Sequence, residues 1–354
     1  MVWNMACTAA RRTLGMLLLL LPSAITEAGQ AGPYDQVGVR RMAVLVPERG
    51  VELEATIWYP AAAGGIATKV GDNAVFQGAP ARLDAPIADG SWPLILLSHG
   101  GLRSAPDSGA WIASRLAVAG FVVAASQPPR LEGERTRNAA SEPWLRLADL
   151  SATLSALARD PALGTRLDID AVGALGFQLG GTAALTLVGA RLDQRAYAHL
   201  CDRDPAAVDC LWFAAQGIDP HAIDVAPAAR SRPEPRVRAV VAVDPELAEG
   251  LEPVSLTTIA ASVLIIDIGG VEARASEPDG SSLARAIPGA DDALISDASP
   301  FSALNPCKPK GAAILREERD EAVCSDGRRP RVEVHAVLAE MTAAFFVAHL
   351  KNGR

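Results

Sequence analysis

Short, continuous, β-branched apolar runs punctuate the chain at Pro93–Ser98 (PLILLS), Phe121–Ser126 (FVVAAS), Ala171–Gly176 (AVGALG), Val237–Val243 (VRAVVAV) and Ser262–Ile268 (SVLIIDI). Runs of this kind predict strands buried on both faces of a parallel sheet. An earlier segment, Val51–Tyr59 (VELEATIWY), alternates apolar with polar residues and predicts a half-exposed strand. Amphipathic stretches at Asp107–Ala119, Trp144–Leu157, Leu179–Gly189 and Arg331–Leu350 predict helices. Strands and helices that alternate over so long a span imply a doubly wound, mostly parallel α/β sheet. Two segments interrupt the pattern. The Gly-, Ala- and Asp-rich stretch 61–90 reads as an irregular loop, and 193–235 is longer than a simple crossover and reads as an insertion above the sheet. Ligand pockets of such folds open at that end of the strands.

The N-terminus follows a different rule. Arg11 and Arg12 precede an apolar run, Leu14–Leu21, which Pro22 closes before the small residues Ala24, Ala28 and Ala31. This is the order of a secretory signal peptide, here residues 1–31, and the run is far shorter than the roughly 20 residues a spanning helix needs. The mature chain, 32–354, is expected in the periplasm or outside the cell, by the general or the twin-arginine route, with no transmembrane segment. Cys7 precedes the run, so it is not placed as a lipid-attachment cysteine. Cys201, Cys210, Cys307 and Cys324 remain. Export to an oxidising compartment favours disulfides, and among the possible pairings the local ones, Cys201 with Cys210 and Cys307 with Cys324, close the shortest loops. Four free thiols and a zinc site are the alternatives; no Cys-x-x-Cys supports the latter.

At 49% apolar and 21% charged over 354 residues, the composition supports a large core and excludes disorder as the main state. Lys and Arg total 33 against 41 Asp and Glu, a net charge of −8 without a long basic cluster. Nucleic acid and anionic lipid are therefore not expected partners. No cofactor and no metal are expected.

The tightest strand-to-helix junction is Ala171–Leu185 (AVGALGFQLGGTAAL). Gly176 and Gly180 stand two positions either side of Gln178, and Gly181 follows, a spacing that lets a strand reverse into a helix without a Cβ clash, as in a nucleophile elbow. Here the chain resembles the secreted, dienelactone-hydrolase-like α/β-hydrolases related to plasma-type platelet-activating-factor acetylhydrolases. The resemblance runs through Ile57–Pro60 (IWYP), Leu97–Gly101 (LSHGG), Gly176–Gly181 (GFQLGG), Val241–Pro245 (VAVDP) and Cys307–Gly311 (CKPKG) with Cys324. It implies an α/β-hydrolase fold in one domain over 32–354.

The same resemblance implies a Ser–His–Asp triad, and each of its places is altered. Gln178 stands where the serine belongs, and a carboxamide is no nucleophile. Val271 or, with a slip of one residue, Glu272 stands at the Asp position; Pro300, in Ala298–Phe301 (ASPF), stands at the His position. The histidines are His99, His199, His221, His335 and His349, and none falls between Asp291 and Pro330, the loop from which a base would reach the elbow. Loss of the nucleophile or its base leaves only the residual effect of the oxyanion hole and of binding. The expected role is a non-catalytic one: binding a small acyl, ester-like or acidic ligand, or a protein partner. The backbone N–H groups of Gly101 and Leu179 would form an oxyanion-like pair at a helix N-terminus, or would merely serve the turn. The rival expectation is an active carboxylic-ester or lactone hydrolase with a relocated set, Ser98 or Ser126 with Glu272. Asp244, Glu246 and Asp267 at strand ends could act as paired carboxylates or as structural groups. Trp58 and Tyr59 are expected to pack the N-terminal sheet, with stacking on a substrate as the alternative. The Lys308, Lys310, Arg316 and Arg319 cluster is interspersed with Glu317, Glu318, Asp320 and Glu321 and is expected to be a solvated surface.

Overall fold

The computed structural model describes residues 36–351 except 103–104, 132, 231–232 and 271–279. The proposed leader with Cys7, and the Val271 and Glu272 positions, lie outside the described residues. Ten strands form one sheet: β1 (Val37–Val46), β2 (Val51–Pro60), β3 (Ile66–Val70), β4 (Ala79–Leu83), β5 (Trp92–Ser98), β6 (Val122–Ser126), β7 (Leu167–Phe177), β8 (Val237–Val243), β9 (Ser262–Ile268) and β10 (Asp291–Ile295). Their order is β10-β9-β8-β7-β5-β6-β2-β1-β4-β3. The block from β6 to β10 is parallel, whereas β2 pairs antiparallel with both β6 and β1.

Both faces of the central strands are buried, as their continuous apolar sequence implies. Along β5, Leu94 and Leu96 join one core cluster while Ile95 and Leu97 join the other. The period of two along a strand produces this division. Helices α2 (Glu142–Arg159) and α3 (Leu179–Leu187) cover the first face. Helix α1 (Ala110–Val118) and the C-terminal helix Arg331–Phe346 cover the second. By length and composition the Arg331–Lys351 segment is apolar enough to cross a membrane, a candidate the sequence reading did not single out. Part of its apolar side packs into the core, where Val334, Leu338 and Phe346 are fully buried, while Val332 is exposed. Trp58 and Tyr59 are buried in β2, and the Tyr59 hydroxyl donates to the Ala85 carbonyl at 2.8 Å.

The fold corrects the reading of 61–90 as an irregular loop, because β3 and β4 pair antiparallel within it. The strand β4 also pairs with β1, at the sheet's edge. Edge strands carry solvated and Pro-interrupted sequence, here Pro80 and the 71%-exposed Ile66, and so lack an apolar run. The strands β1 and β10 escaped notice for a related reason: Arg40 and Arg41 interrupt one, and two aspartates open the other. The 193–235 insertion consists of short helices, among them Val208–Ala215, and the Tyr197 hydroxyl ties it to the Ala140 carbonyl at 2.9 Å. Both local disulfides are formed, Cys201–Cys210 inside the insertion and Cys307–Cys324 after β10.

A buried ion cluster joins the β1–β2 turn to α2. The Arg49 guanidinium contacts the Glu142 carboxylate at 2.8 Å and the Asp149 carboxylate at 2.6 Å, with side chains 5%, 1% and 1% exposed. Burial alone would lower the Arg49 pKa, but its hydrogen bonds to the two carboxylates carry it above the ordinary arginine value. Glu142 also holds Arg146 at 3.4 Å. Breaking such a set from one side strands buried charges of one sign. An Arg49→Met substitution is therefore expected to lower unfolding stability by about 3–5 kcal/mol in a urea titration.

Candidate functional site

The sheet's winding reverses around β5, which has β6 on one side and β7 on the other. The crevice beyond the ends of β5 and β7 is where ligands bind in open α/β sheets. Gln178 sits there, between the end of β7 and the first residue of α3, with φ 56° and ψ −125°. A non-glycine residue held in that region is strained, and such strain persists only where the surroundings over-determine it. Several hydrogen bonds do so. The Gln178 N–H donates to the Val243 carbonyl at 2.8 Å, and the Gln178 carbonyl accepts from Gly181 at 2.8 Å and from Glu246 at 3.2 Å. The flanking glycines are sterically required. A Cβ on Gly176 would lie 1.9 Å from the Gly180 carbonyl oxygen, and one on Gly180 would lie 2.0 Å from that of Ser98.

The segment after β5 faces this elbow. The Gly100 N–H donates to the Phe177 carbonyl at 3.1 Å, which ties the segment to β7. Arg146 holds it from below, donating to the Gly100 carbonyl and, at 2.7 Å, to the Gly101 carbonyl. With both carbonyls drawn toward Arg146, the Gly101 N–H points the other way and donates to Gln178 Oε1 at 2.9 Å. The oxyanion-like pair expected of Gly101 and Leu179 is thus altered, because the chain's own carboxamide oxygen occupies the Gly101 donor. Leu179 opens α3, and its N–H is among those that a helix leaves without an intrahelical partner. The Glu246 carboxylate lies against Gly101 as well, since its Oε2 would be 2.7 Å from a Cβ built there. A carboxylate in that place disfavours any anion beside the elbow.

Pro300 begins a 3-10 turn, Pro300–Ala303, closed by a reciprocal pair: Phe301 N–H to Ser299 Oγ, and Ser299 N–H to Ser302 Oγ. This turn presents carbonyl groups to three aromatic N–H donors. His99 Nε2 and Trp111 Nε1 donate to the Ala303 carbonyl at 3.0 and 2.8 Å, and His335 Nε2 donates to that of Ser302 at 2.8 Å. A carbonyl only accepts, so both imidazoles carry their proton on Nε2. His335 also stacks on Trp111 with ring centroids 3.6 Å apart. Nδ1 of His99 is enclosed without a hydrogen-bond partner, so neither the Ser98 nor the Ser126 hydroxyl donates to it. His199 and His221 face Asp202 on the exposed surface of the insertion. Asp244 and Asp267 serve the chain's own backbone, accepting from Ile268 N–H at 2.9 Å and from Gly280 N–H at 3.1 Å. Lys308 binds the Asp72 carboxylate at 2.8 Å.

Beside the oxyanion segment lies a cavity of about 390 Å³ that sequence reasoning did not locate. Trp58, His99, Asp107, Ser126 and Gln127 line it, and so does Trp212 from the 193–235 segment. Gln178 is not among its lining residues. Asp107 is held by the Thr56 hydroxyl at 2.9 Å and by Gln127 Nε2 at 3.0 Å. Burial raises the Asp107 pKa, and the bond from Thr56 works against that rise. The chemistry of the cavity depends on residues far apart in the chain, which no local motif signals.

No protein-family model matches the sequence, and no curated protein does. Among solved structures, the chain is similar to a ferulic acid esterase from Streptomyces cinnamoneus, 18% identical, with a TM-score of 0.59 over 90% of this chain and 91% of that one. It is also similar to a dienelactone hydrolase from Anabaena variabilis, 17% identical, with a TM-score of 0.47 over 89% of this chain and 99% of that one. The strand order, the strained elbow and the first of these likenesses together establish an α/β-hydrolase fold.

Two measurements check this geometry. A Gly180→Ala substitution forces a methyl group into the Ser98 carbonyl and is expected to cost about 3 kcal/mol or more, seen as a fall in Tm by circular dichroism. Burial lowers the His99 pKa to about 4 and that of His335 to about 3, from the ordinary 6.5. The unfolded chain therefore takes up protons first as the pH falls below 6.5, and stability present above that pH is lost on the way down to the folded values. For His335 alone the loss at pH 4 is roughly 3 kcal/mol. Urea titrations at neutral pH and at pH 4 should show it, and a His335→Gln substitution should flatten that part of the profile.

Proposed function

We propose that this chain is an exported, dienelactone-hydrolase-like protein that does not hydrolyse esters at its elbow and works as a non-catalytic binding protein. One observation carries the reading: Gln178 Oε1 accepts the Gly101 N–H that an active enzyme would reserve for its oxyanion. The residue at the apex thus lacks a nucleophile and also fills half of the stabilising site. Two further features support it. Pro300 holds the place of the base, and the described histidines are committed to the Ser302 and Ala303 carbonyls, to Asp202, or, for His349, to the Phe345 ring at 4.5 Å. The leader pattern and the two disulfides support export.

The ligand this reading favours is a small neutral acyl or ester-like molecule in the cavity lined by Trp58 and Trp212. A volume of about 390 Å³ is within the range of small-molecule sites. Trp58, Trp212 and the prolines 128 and 129 supply apolar walls, while Asp107, Ser126 and Gln127 supply polar contacts. The Glu246 carboxylate against Gly101 makes an acidic ligand at the elbow the poorer fit.

Exposure of the purified protein to a fluorophosphonate probe, followed by mass spectrometry, tests the proposal. No labelled serine and no turnover of short acyl esters above background are expected. A covalent adduct on Ser98 or Ser126, with turnover lost on its replacement by Ala, would establish the relocated enzyme instead. A Gln178→Ser substitution is expected to raise ester turnover by less than about tenfold, because Pro300 offers no proton acceptor.

A further inference from the structure

The insertion carries a cluster that the elbow does not use. Nδ1 of His199 lies 2.6 Å from Oδ2 of Asp202, and Nε2 of His221 lies 3.1 Å from Oδ1 of the same carboxylate. One candidate ligand atom from each residue falls within 4.8 Å of the other two. In sequence His199 and Asp202 are three apart on successive short helical turns, while His221 comes from the separate 3-10 turn Pro220–Ala222. Only the folded insertion makes them neighbours.

Their supports are built. The Cys201–Cys210 disulfide anchors the segment between His199 and Asp202. Asp219 caps the turn that bears His221, accepting its N–H at 3.0 Å. Gln194 joins the two segments, donating to the Ile223 carbonyl at 2.7 Å and accepting from the Val225 N–H at 2.9 Å. The backbone positions are thus fixed, whereas the side chains of His199, Asp202 and His221 are 54%, 53% and 45% exposed and free to adjust.

We propose that His199, Asp202 and His221 form a site for a divalent transition-metal ion, Zn²⁺ above all, with water completing the coordination. A tetrahedral Zn²⁺ with bonds of about 2.0–2.1 Å keeps its ligand atoms about 3.3 Å apart, so modest rotations of three exposed side chains close the set. Two imidazole nitrogens and one carboxylate suit Zn²⁺, Ni²⁺ or Cu²⁺, whereas Mg²⁺ and Ca²⁺ prefer all-oxygen shells. In the ion-free state each ring N–H donates to Asp202. In the loaded state each ring carries its proton on the other nitrogen and offers the freed lone pair to the metal. The ion would bridge the 199–202 and 221 segments and so brace the insertion that contributes Trp212 to the cavity lining. The inference is independent of what the cavity holds.

Calorimetric titration of the full-length, untagged protein with ZnCl₂ and, separately, with MgCl₂ tests it. One equivalent of Zn²⁺ is expected to bind at a micromolar or lower Kd, without Mg²⁺ binding, and Zn²⁺ should raise Tm. His199→Ala and His221→Ala should each weaken Zn²⁺ binding by about tenfold or more. His349→Ala, on the C-terminal helix, should leave it unchanged. Cobalt loading should give the visible absorption of a four-coordinate ion, lost in the same two variants. Absence of saturable Zn²⁺ binding would overturn the proposal, and so would equal binding in either histidine variant.

Discussion

The amide of Gly101 has a single proton, and the site depends on where that proton points. Arg146 sets its direction by drawing the Gly100 and Gly101 carbonyls into the protein, and Gln178 Oε1 receives it at 2.9 Å. Arg146 is placed in turn by Glu142, which is shared with the buried Arg49 of the β1–β2 turn. A charge cluster under the sheet's N-terminal half is thereby linked to the polarity of the elbow. Buried charges of this kind demand mutual satisfaction, so the segment is held in one orientation instead of sampling several.

The elbow keeps the backbone of a reactive turn with different chemistry at its apex. Its glycines leave no room for a Cβ, and its apex residue keeps the strained φ of 56°. A serine there would present a hydroxyl to a base. The longer carboxamide folds back onto the donor beside it and satisfies that donor internally. The turn Pro300–Ala303 shows a parallel change. Its carbonyls take up the N–H groups of His99, Trp111 and His335, so this turn binds three rings to the core. In both places polar groups are satisfied by hydrogen bonds within the fold.

Much of the core was legible because the central strands are buried on both faces and leave no polar alternation to confuse with helix. The runs at β5, β6, β7, β8 and β9 therefore announced themselves, as did the reversal around Gln178. The edges were not legible. The strands β3, β4 and β10 face solvent along part of their length and carry Lys, Pro, Arg or Asp, so their pairing depends on the neighbour rather than on their own pattern. The site divides in the same way. The glutamine at 178 and the proline at 300 were visible as residue identities, whereas the engagement of Gln178 with Gly101 and the cavity lined by Trp212 depend on contacts between distant segments.

Residue identity alone determined that the apex bears an amide, that a proline opens the turn after β10, and that cysteines lie close enough in sequence to pair locally. Those are properties of covalent structure and short loops, and they hold whatever the rest of the chain does. Tertiary structure decided which donors the amide oxygen would meet, which carbonyls the histidines would bind, and that His199, Asp202 and His221 would converge. Hydrogen bonds act over about 3 Å, and only the closed sheet with its stapled insertion brings residues from separate segments within that range.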